Sequence, residues 1–292
     1  MTLDRQDDPP IAPGLYLVAT PIGNLEDITL RALRILRSVD RIACEDTRQT
    51  QKLLNHFGIT TPTVSYHMHN EGSRSEELVE SLKQGARIAV VSDAGTPGIA
   101  DPGSQIAVAA IAAAIPVFPI PGANAAINAL IASGLSTENF TFHGFLPSKA
   151  GQRKTSLEAI PRNNSTTHIF YETPHRILEA LGDIEAVFGP TQPVVVAREL
   201  TKLHEEFLRA TVCDLRSELA ARPVIRGEIV LMLVPTEQQS TTHSTSIAEA
   251  VAMLMKSEDL TEKDALKRVA RDRGIGKSEA YRELQREQNR RR

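Results

Sequence analysis

The residues of this chain best able to do chemistry sit in short runs that close apolar, β-rich stretches. Glu45-Asp46-Thr47-Arg48 sets two carboxylates beside an arginine. Such a group can take up a proton and clamp a phosphate or a carboxylate; the same acids can equally cap the helix that comes next. Ser92-Asp93-Ala94-Gly95-Thr96-Pro97-Gly98-Ile99-Ala100-Asp101-Pro102-Gly103 carries three glycines, two prolines and two aspartates, more fixed and permissive backbone than a plain turn needs. A loop so built points to a ligand, met by Asp93 or by backbone groups.

Weaker signals flank these two. Ala19-Thr20-Pro21-Ile22-Gly23-Asn24 forms a strand-to-helix turn, where backbone N–H groups and the helix dipole converge. It lacks the G-x-G-x-x-G of a dinucleotide site, and an ordinary turn fixed by Pro21 is the competing reading. Pro119-Ile120-Pro121-Gly122-Ala123-Asn124-Ala125-Ala126 admits a close ligand or tight helix packing. Phe170-Tyr171-Glu172-Thr173-Pro174-His175-Arg176 and Ala197-Arg198-Glu199-Leu200-Thr201-Lys202 close two later strands. His175 has no serine or cysteine partner motif, so it reads as a surface or satisfied histidine rather than a member of a catalytic triad. His67-Met68-His69 is too sparse for a metal site, and no metal is expected.

The elements that must position these runs alternate along the chain. LYLVAT (15–20), RIACE (41–45), TVSYH (63–67), RIAVVS (87–92) and PVFPI (116–120) read as strands separated by helical spacing such as Ile28, Ala32, Ile35 and Val39. This predicts an α/β fold with a largely parallel sheet. A second series comes after it: FTFHGFLP (140–147), HIFYE (168–172), PVVVAREL (193–200), EFLRATV (206–212) and EIVLMLV (228–234), the last two as an antiparallel pair. The reading is therefore two α/β domains, 13–119 and 120–236, with a cleft between them. The polar run 237–246 reads as a linker to a third module at 247–292. In that module Thr261 caps one helix, Leu260 staples it, and a turn at Gly274 leads to a second helix, in the manner of a helix-turn-helix.

At 292 residues, with 41% hydrophobic and 24% charged residues, the chain is long enough for a large buried core and is not a disordered or fibrous sequence. Cys44 and Cys213 cannot build a disulfide framework, which fits a reducing, cytoplasmic setting. The acidic, proline-rich start lacks the order of a secretory signal. The apolar stretch from Ile106 to Leu135 is broken by Pro116, Pro119 and Pro121, against a membrane span. Net charge is −3, unevenly placed: from Lys256 onward 12 Lys and Arg face 8 Asp and Glu, against 21 and 28 before it. An acidic body with a basic tail points to a polyanionic partner, or to a salt-bridged helix face.

Together the segments GLYLVATPIGNLEDITLRAL, CEDTR, VVSDAGTPGIADPG, IPGANAAINALIASGL, FYETPHR, ARELTK with HEEF, and RGEIVLMLV resemble the tetrapyrrole methylase superfamily. Within it they resemble the enzymes that methylate a cytidine ribose of 16S rRNA. The resemblance covers roughly 13 to 235. It implies two α/β domains of tetrapyrrole methylase type with S-adenosyl-L-methionine in the cleft, 16S rRNA of the small ribosomal subunit as substrate, and a homodimer. It further implies cofactor contacts from Pro21, Ile22 and Gly23, from Asp93, Ala94, Gly95, Thr96 and Gly98, from Gly122, Ala123, Asn124 and Ala125, and from Tyr171 and Glu172. For methyl transfer to a ribose hydroxyl, Glu45 or Asp46 is the candidate base, with Arg48 beside them. Lys149, Arg153, Lys154 and Arg162, with Lys267, Arg268, Arg271, Lys277 and Arg282 of the C-terminal module, are the candidate RNA contacts. Two competing functions remain: methylation of a tetrapyrrole or another small molecule, and a non-catalytic RNA-binding assembly factor.

Overall fold

A computed structural model describes residues 10–68, 70–162, 165–236, 246–258, 260–272 and 277–290. His69, Gly274 and all of the expected linker but Ser246 lie outside the described residues. The chain divides into two units, Met1–Thr236 and Glu237–Arg292.

The first unit opens with strands β1 (Gly14–Val18), β2 (Arg41–Cys44), β3 (Thr63–Ser65), β4 (Arg87–Val91) and β5 (Val117–Ile120). They pair in parallel in the order β3-β2-β4-β1-β5. Parallel neighbours cannot be joined by hairpins, and helices α1 (Leu30–Ser38), α2 (Thr47–His56), α3 (Glu71–Lys83) and α4 (Ser104–Ala112) make the crossovers. Strand side chains alternate between faces, which is why these strands are apolar at nearly every position. Tyr16, Val18, Ile42 and Val91 pack on Ala32, Ile35, Leu36 and Leu54 of α1 and α2. Leu15, Ala43, Ile88 and Val90 pack on Leu78, Leu82, Ile106 and Ala110 of α3 and α4. Every carboxyl end of this sheet opens on one edge, the edge that carries Pro21, Glu45, Asp93 and Gly122.

Helix α5 (Ala125–Ser133) leads to the second sheet, built from β6 (Phe140–Phe145), β7 (Thr167–Glu172), β8 (Pro193–Arg198), β9 (Glu206–Thr211) and β10 (Ile229–Leu233), with α6 (Ala150–Glu158), α7 (Ile177–Phe188) and α8 (Val212–Ala220). The order is β6-β7-β10-β8-β9; only β6 and β7 run parallel, and the other pairs are antiparallel. The expected pairing of EFLRATV with EIVLMLV is therefore wrong, because β8 lies between them. Burial explains the placement. All five residues of β10 are buried, which calls for an interior position, whereas β9 is only partly buried and takes the edge. One face of this sheet, with Phe170, Val196 and Leu231, packs on Leu157, Leu181 and Leu215 of the outer helices. The other, with Ile169, Val195, Ala197 and Val230, packs on Ala126, Ala129 and Leu130 of α5 and on Ile22 from the loop after β1.

Among its described residues the second unit holds three helices, α9 (Ile247–Glu258), α10 (Glu262–Asp272) and α11 (Lys277–Arg290). Two short amphipathic helices cannot bury their apolar faces alone. The third, α9, which the two-helix expectation omitted, closes the core with Ile247 and Val251 against Leu266, Val269, Ala280 and Leu284. Thr261 does cap α10, its hydroxyl accepting from the Asp264 N–H at 3.3 Å. No helix among the described residues is long and apolar enough to cross a membrane.

Beneath the outer helices of the second sheet, His168 of β7 is 4% exposed and joins His143 through a 2.8 Å contact between Nδ1 and Nε2. Burial, with the His143 ring adding to it, pushes the His168 pKa down to about 4, against roughly 6.5 in an unfolded chain. The unfolded chain therefore binds the extra proton first, and this contribution to stability, complete above pH ~6.5, is lost as pH falls toward 4. Equilibrium denaturation of wild type and His168→Gln tests this, since carboxylates titrating in the same window are common to both. The stability difference between them shifts against wild type as pH drops from 7 to 4; a pH-independent difference refutes it.

Candidate active site

Two backbone hydrogen bonds join the loops after β1 and β4: Thr20 N–H to the Gly95 carbonyl at 2.9 Å, and Gly95 N–H to the Thr20 carbonyl at 3.0 Å. Gly95 has φ 83°, a left-handed conformation that costs a side-chain-bearing residue about 1–2 kcal/mol. Its backbone also lies so close to Ile22 that an added Cβ would stand 3.2 Å from Ile22 Cγ2. Thr96 Oγ1 donates to the Ala123 carbonyl at 3.1 Å and accepts from Asn124 Nδ2 at 3.3 Å, while Asn124 Oδ1 caps α5 through Ile127 N–H. Buried Glu71 accepts from Gly103 N–H at 3.0 Å and fixes the far end of the glycine-rich loop. Three loops of the first sheet are thus knit together at one edge.

They surround a cavity of about 390 Å³ that the start of β10 and the end of β7 complete, a size common for small-molecule sites. Of the residues singled out in the sequence, Ile22, Glu45, Asp93, Ala94, Gly95, Thr96, Asn124, Ala125, Tyr171 and Glu172 line it. Pro21, Gly23, Asp46, Arg48, Gly98, Gly122 and Ala123 do not. Gly23 abuts the Lys202 side chain, a Cβ on Gly122 would meet Ala19 at 2.8 Å, and Ala123 contributes the carbonyl that Thr96 uses.

Among the described residues the lining includes five carboxylates, Glu45, Asp93, Asp101, Glu172 and Glu228, and neither lysine nor arginine. Glu45 is half-buried, and burial first, then the Asp93 carboxylate, raises its pKa. Asp101, absent from the sequence-based set, is pushed up to about 6 by burial and by Glu45 and Asp93. Its signal was the second aspartate of the glycine-rich loop, behind Ala100, whose φ is 62°. Asp46 behaves oppositely. Its carboxylate accepts from the Arg48 side chain and backbone, which hold its pKa down to about 2, and it caps α2. Arg48, 86% exposed, faces solvent while bound to Asp46. The Asp46 N–H donates to Asp93 Oδ1 at 3.1 Å, which draws the second and fourth strand ends together.

Glu172 is 2% exposed; its Oε1 accepts from Thr173 N–H and Arg176 Nε, each at 2.8 Å, while Oε2 is buried with no hydrogen-bond partner among the described residues. Tyr171 meets Phe142 and Phe145 edge-on, with ring centroids 4.8 and 5.7 Å apart. Across the cavity, Lys202 Nζ bridges Glu199 at 2.7 Å and Glu228 at 2.8 Å. Glu199 and Thr201 hold left-handed backbone, with φ 54° and 65°.

The candidate RNA contacts divide sharply. Arg153 is 1% exposed, and its guanidinium binds Asp183 at 2.6 Å, Glu179 at 3.2 Å and two carbonyls. It is an interior ion-pair residue, and the expectation that it contacts phosphate is wrong. Arg162 donates to the Val187 carbonyl at 2.6 Å and lies over Phe188. Lys149 is exposed, and Lys154, half-exposed, stands 3.5 Å from Asp183. Lys267, Arg268 and Arg282 are exposed on α10 and α11; the side chains of Arg271 and Lys277 lie outside the described residues.

The sequence profile of the family described as Tetrapyrrole (Corrin/Porphyrin) Methylases matches residues 14–216. The protein named Ribosomal RNA small subunit methyltransferase I in Halalkalibacterium halodurans is 48% identical over 276 residues, 91% of this chain and 93% of that one. Its counterpart in Bacillus subtilis is 44% identical over 273 residues, covering 91% and 92%. Among solved structures, a diphthine synthase matches with a TM-score of 0.58 at 16% identity, over 75% of this chain and 89% of that one. Uroporphyrin-III-C-methyltransferase from Thermus thermophilus matches with a TM-score of 0.53 at 20% identity, over 75% and 94%. At such identities the likeness is one of fold.

Gly95→Ala tests the cavity wall. The variant should lose about 1–2 kcal/mol of stability and, where folded by circular dichroism, should bind S-adenosylmethionine more weakly because Ile22 is displaced. Undiminished affinity by calorimetry in a folded variant removes this loop from the binding site.

Proposed function

The chain belongs to the tetrapyrrole methylase family, and from that premise we propose that it is an S-adenosylmethionine-dependent methyltransferase of small-subunit ribosomal RNA, acting on the 2′-hydroxyl of a cytidine ribose in 16S rRNA. The observation that carries the reading is the cavity itself, in which the motif loops of both sheets meet. Its residues fit the donor. Glu45, Asp93 and Asp101, which have no lysine or arginine partner among the described residues, complement a cationic sulfonium and ammonium, Tyr171 and Phe145 offer faces for an aromatic base, and the orphaned Glu172 Oε2 awaits a donor. When bound, S-adenosylmethionine supplies an activated methyl group, for which no metal is needed.

Glu45 is the proton acceptor in this reading. It lines the cavity, and its raised pKa leaves it a better base than an ordinary carboxylate as the ribose hydroxyl loses its proton to it and the oxygen takes the methyl group. Asp46, neutralised by Arg48 and outside the cavity, is the poorer candidate. Residues 13–119 and 120–236 serve as two domains whose junction is the cavity. Lys149 and Lys154, with exposed Lys267, Arg268 and Arg282 of the 247–292 module, hold RNA through its phosphates. Such a substrate locates the work in the cytoplasm. A homodimer completes the reading, supported by Val108 and Ile111 of α4 and Ile127 and Ile131 of α5, all exposed apolar side chains on helices that are apolar all round.

In single-turnover methylation of small subunits, Glu45→Gln should slow transfer by about 10² to 10⁴ with donor affinity of the same order as wild type. Asp46→Asn should lose about 1 kcal/mol of helix-cap stability and transfer at close to the wild-type rate. A Glu45→Gln enzyme that transfers normally is not missing its base, and the assignment fails. Truncation to residues 1–236 should keep donor affinity and sediment as a dimer while losing affinity for the subunit, a loss that shrinks as salt rises. Undiminished subunit affinity denies the module its RNA role, and a monomer denies the exposed apolar side chains of α4 and α5 their partner.

A further inference from the structure

We propose that the cavity selects its ligand by charge, holding the cationic sulfonium donor and releasing the neutral thioether product, and that Asp101 is the residue that sets this preference. The inference rests on the methyltransferase reading above and concerns product release from the same site.

The charges of the cavity are out of balance. Five carboxylates line it with no lysine or arginine among them. Two of the five are answered from behind the wall, Glu172 by Arg176 at 2.6 Å and Glu228 by Lys202 at 2.8 Å, which leaves Glu45, Asp93 and Asp101 without a lysine or arginine partner among the described residues. Asp101 faces Glu45 from the end of β2, Asp93 from its own loop, Glu228 from the start of β10 and the Tyr171 hydroxyl from β7; only the Ser92 hydroxyl opposes their effect. His67 and Glu71 act in turn on Glu45. Burial first, and then the like charges of Glu45 and Asp93, disfavour its ionisation, and the pKa of Asp101 is pushed up to about 6.

The backbone shows that this crowding is held in place. Asp101 follows Ala100, a non-glycine residue in left-handed conformation, in a loop closed by the Gly98 N–H to Pro102 carbonyl bond at 3.0 Å and anchored by Glu71 on Gly103. Strain of this kind persists only where surrounding contacts over-determine it, and it clusters at functional sites. A positive charge in the cavity relieves the mutual repulsion and draws Asp101 to its ionised form. Methyl transfer removes that charge from the sulfur. The thioether then meets the same carboxylates without the compensating attraction, so the reaction itself weakens binding.

The full-length protein tests this by calorimetry with S-adenosylmethionine and S-adenosylhomocysteine at pH 7 and pH 5. With a carboxyl titrating near 6, sulfonium affinity should fall by about tenfold between pH 7 and pH 5, whereas thioether affinity changes far less. Asp101→Asn should abolish most of that pH dependence and reduce the sulfonium-to-thioether affinity ratio at pH 7 by about tenfold. The wild-type comparison needs no variant, and Glu228→Gln provides a second one with a smaller effect in the same direction. The same pH response for both ligands, or an unchanged ratio in folded Asp101→Asn, overturns the proposal while leaving the methyltransferase reading intact. Failure of wild type to bind the sulfonium at either pH overturns both.

Discussion

The pair of hydrogen bonds between Thr20 and Gly95 is the constraint on which the cavity depends. A parallel sheet delivers the ends of β1, β4 and β5 to one edge, but it leaves the loops beyond them without ladder partners. The isolated antiparallel bridge ties these two loops to each other past the parallel β1–β4 pairing, and the Thr96, Ala123 and Asn124 contacts carry the order onward to the first turn of α5. Since α5 packs on the second sheet, the same bonds hold Ile22 against Val195 and Val230. Wall geometry and the packing of sheet on sheet are therefore set together.

Residue type says little about role in this cavity until the neighbours are known. Glu45 and Asp46 are adjacent acids with opposite proton affinities, one raised by burial and Asp93, the other lowered by an arginine two positions on. Arg153 and Lys154 are adjacent bases, one sealed in the interior against Asp183 and Glu179, the other at the surface. In each pair the outcome turns on which side of a helix or strand the residue occupies and what it meets there.

This dependence on neighbours explains how much was legible in the sequence. All ten strands among the described residues could be read from apolar runs punctuated by glycine and proline, a local pattern that does not depend on the order of the strands in the sheet. Their pairing in the second sheet could not, since choosing β8 rather than β9 as the neighbour of β10 depends on contacts far apart in the chain. Ten of the seventeen residues marked for catalysis or cofactor line the cavity, because they fall at strand ends on one sheet edge or at the end of β7. Gly122, Ala123 and Gly98 instead shape its frame. Asp101 and Glu228 stand in the glycine-rich loop and in RGEIVLMLV, but only three-dimensional crowding reveals that Glu45, Asp93 and Glu228 all act on Asp101. Arg153 was misread for a like reason: nothing in Gln152-Arg153-Lys154 says that Asp183, thirty residues later, holds the first base in the interior while the second, which also reaches it, stays at the surface.

The loop after β8 restricts how this protein can evolve. Glu199 adopts a backbone conformation that glycine would hold at less cost, yet its carboxylate serves Lys202 and the Glu228 N–H and presses against Gly227. No one of these positions can drift alone. A side chain at 227 collides with the glutamate, a glycine at 199 strands the lysine between fewer acids, and loss of the lysine leaves two carboxylates facing each other. Divergent lineages must cross this corner by exchanging Glu199, Lys202 and Gly227 as a set, and substitution there should read as co-variation among the three.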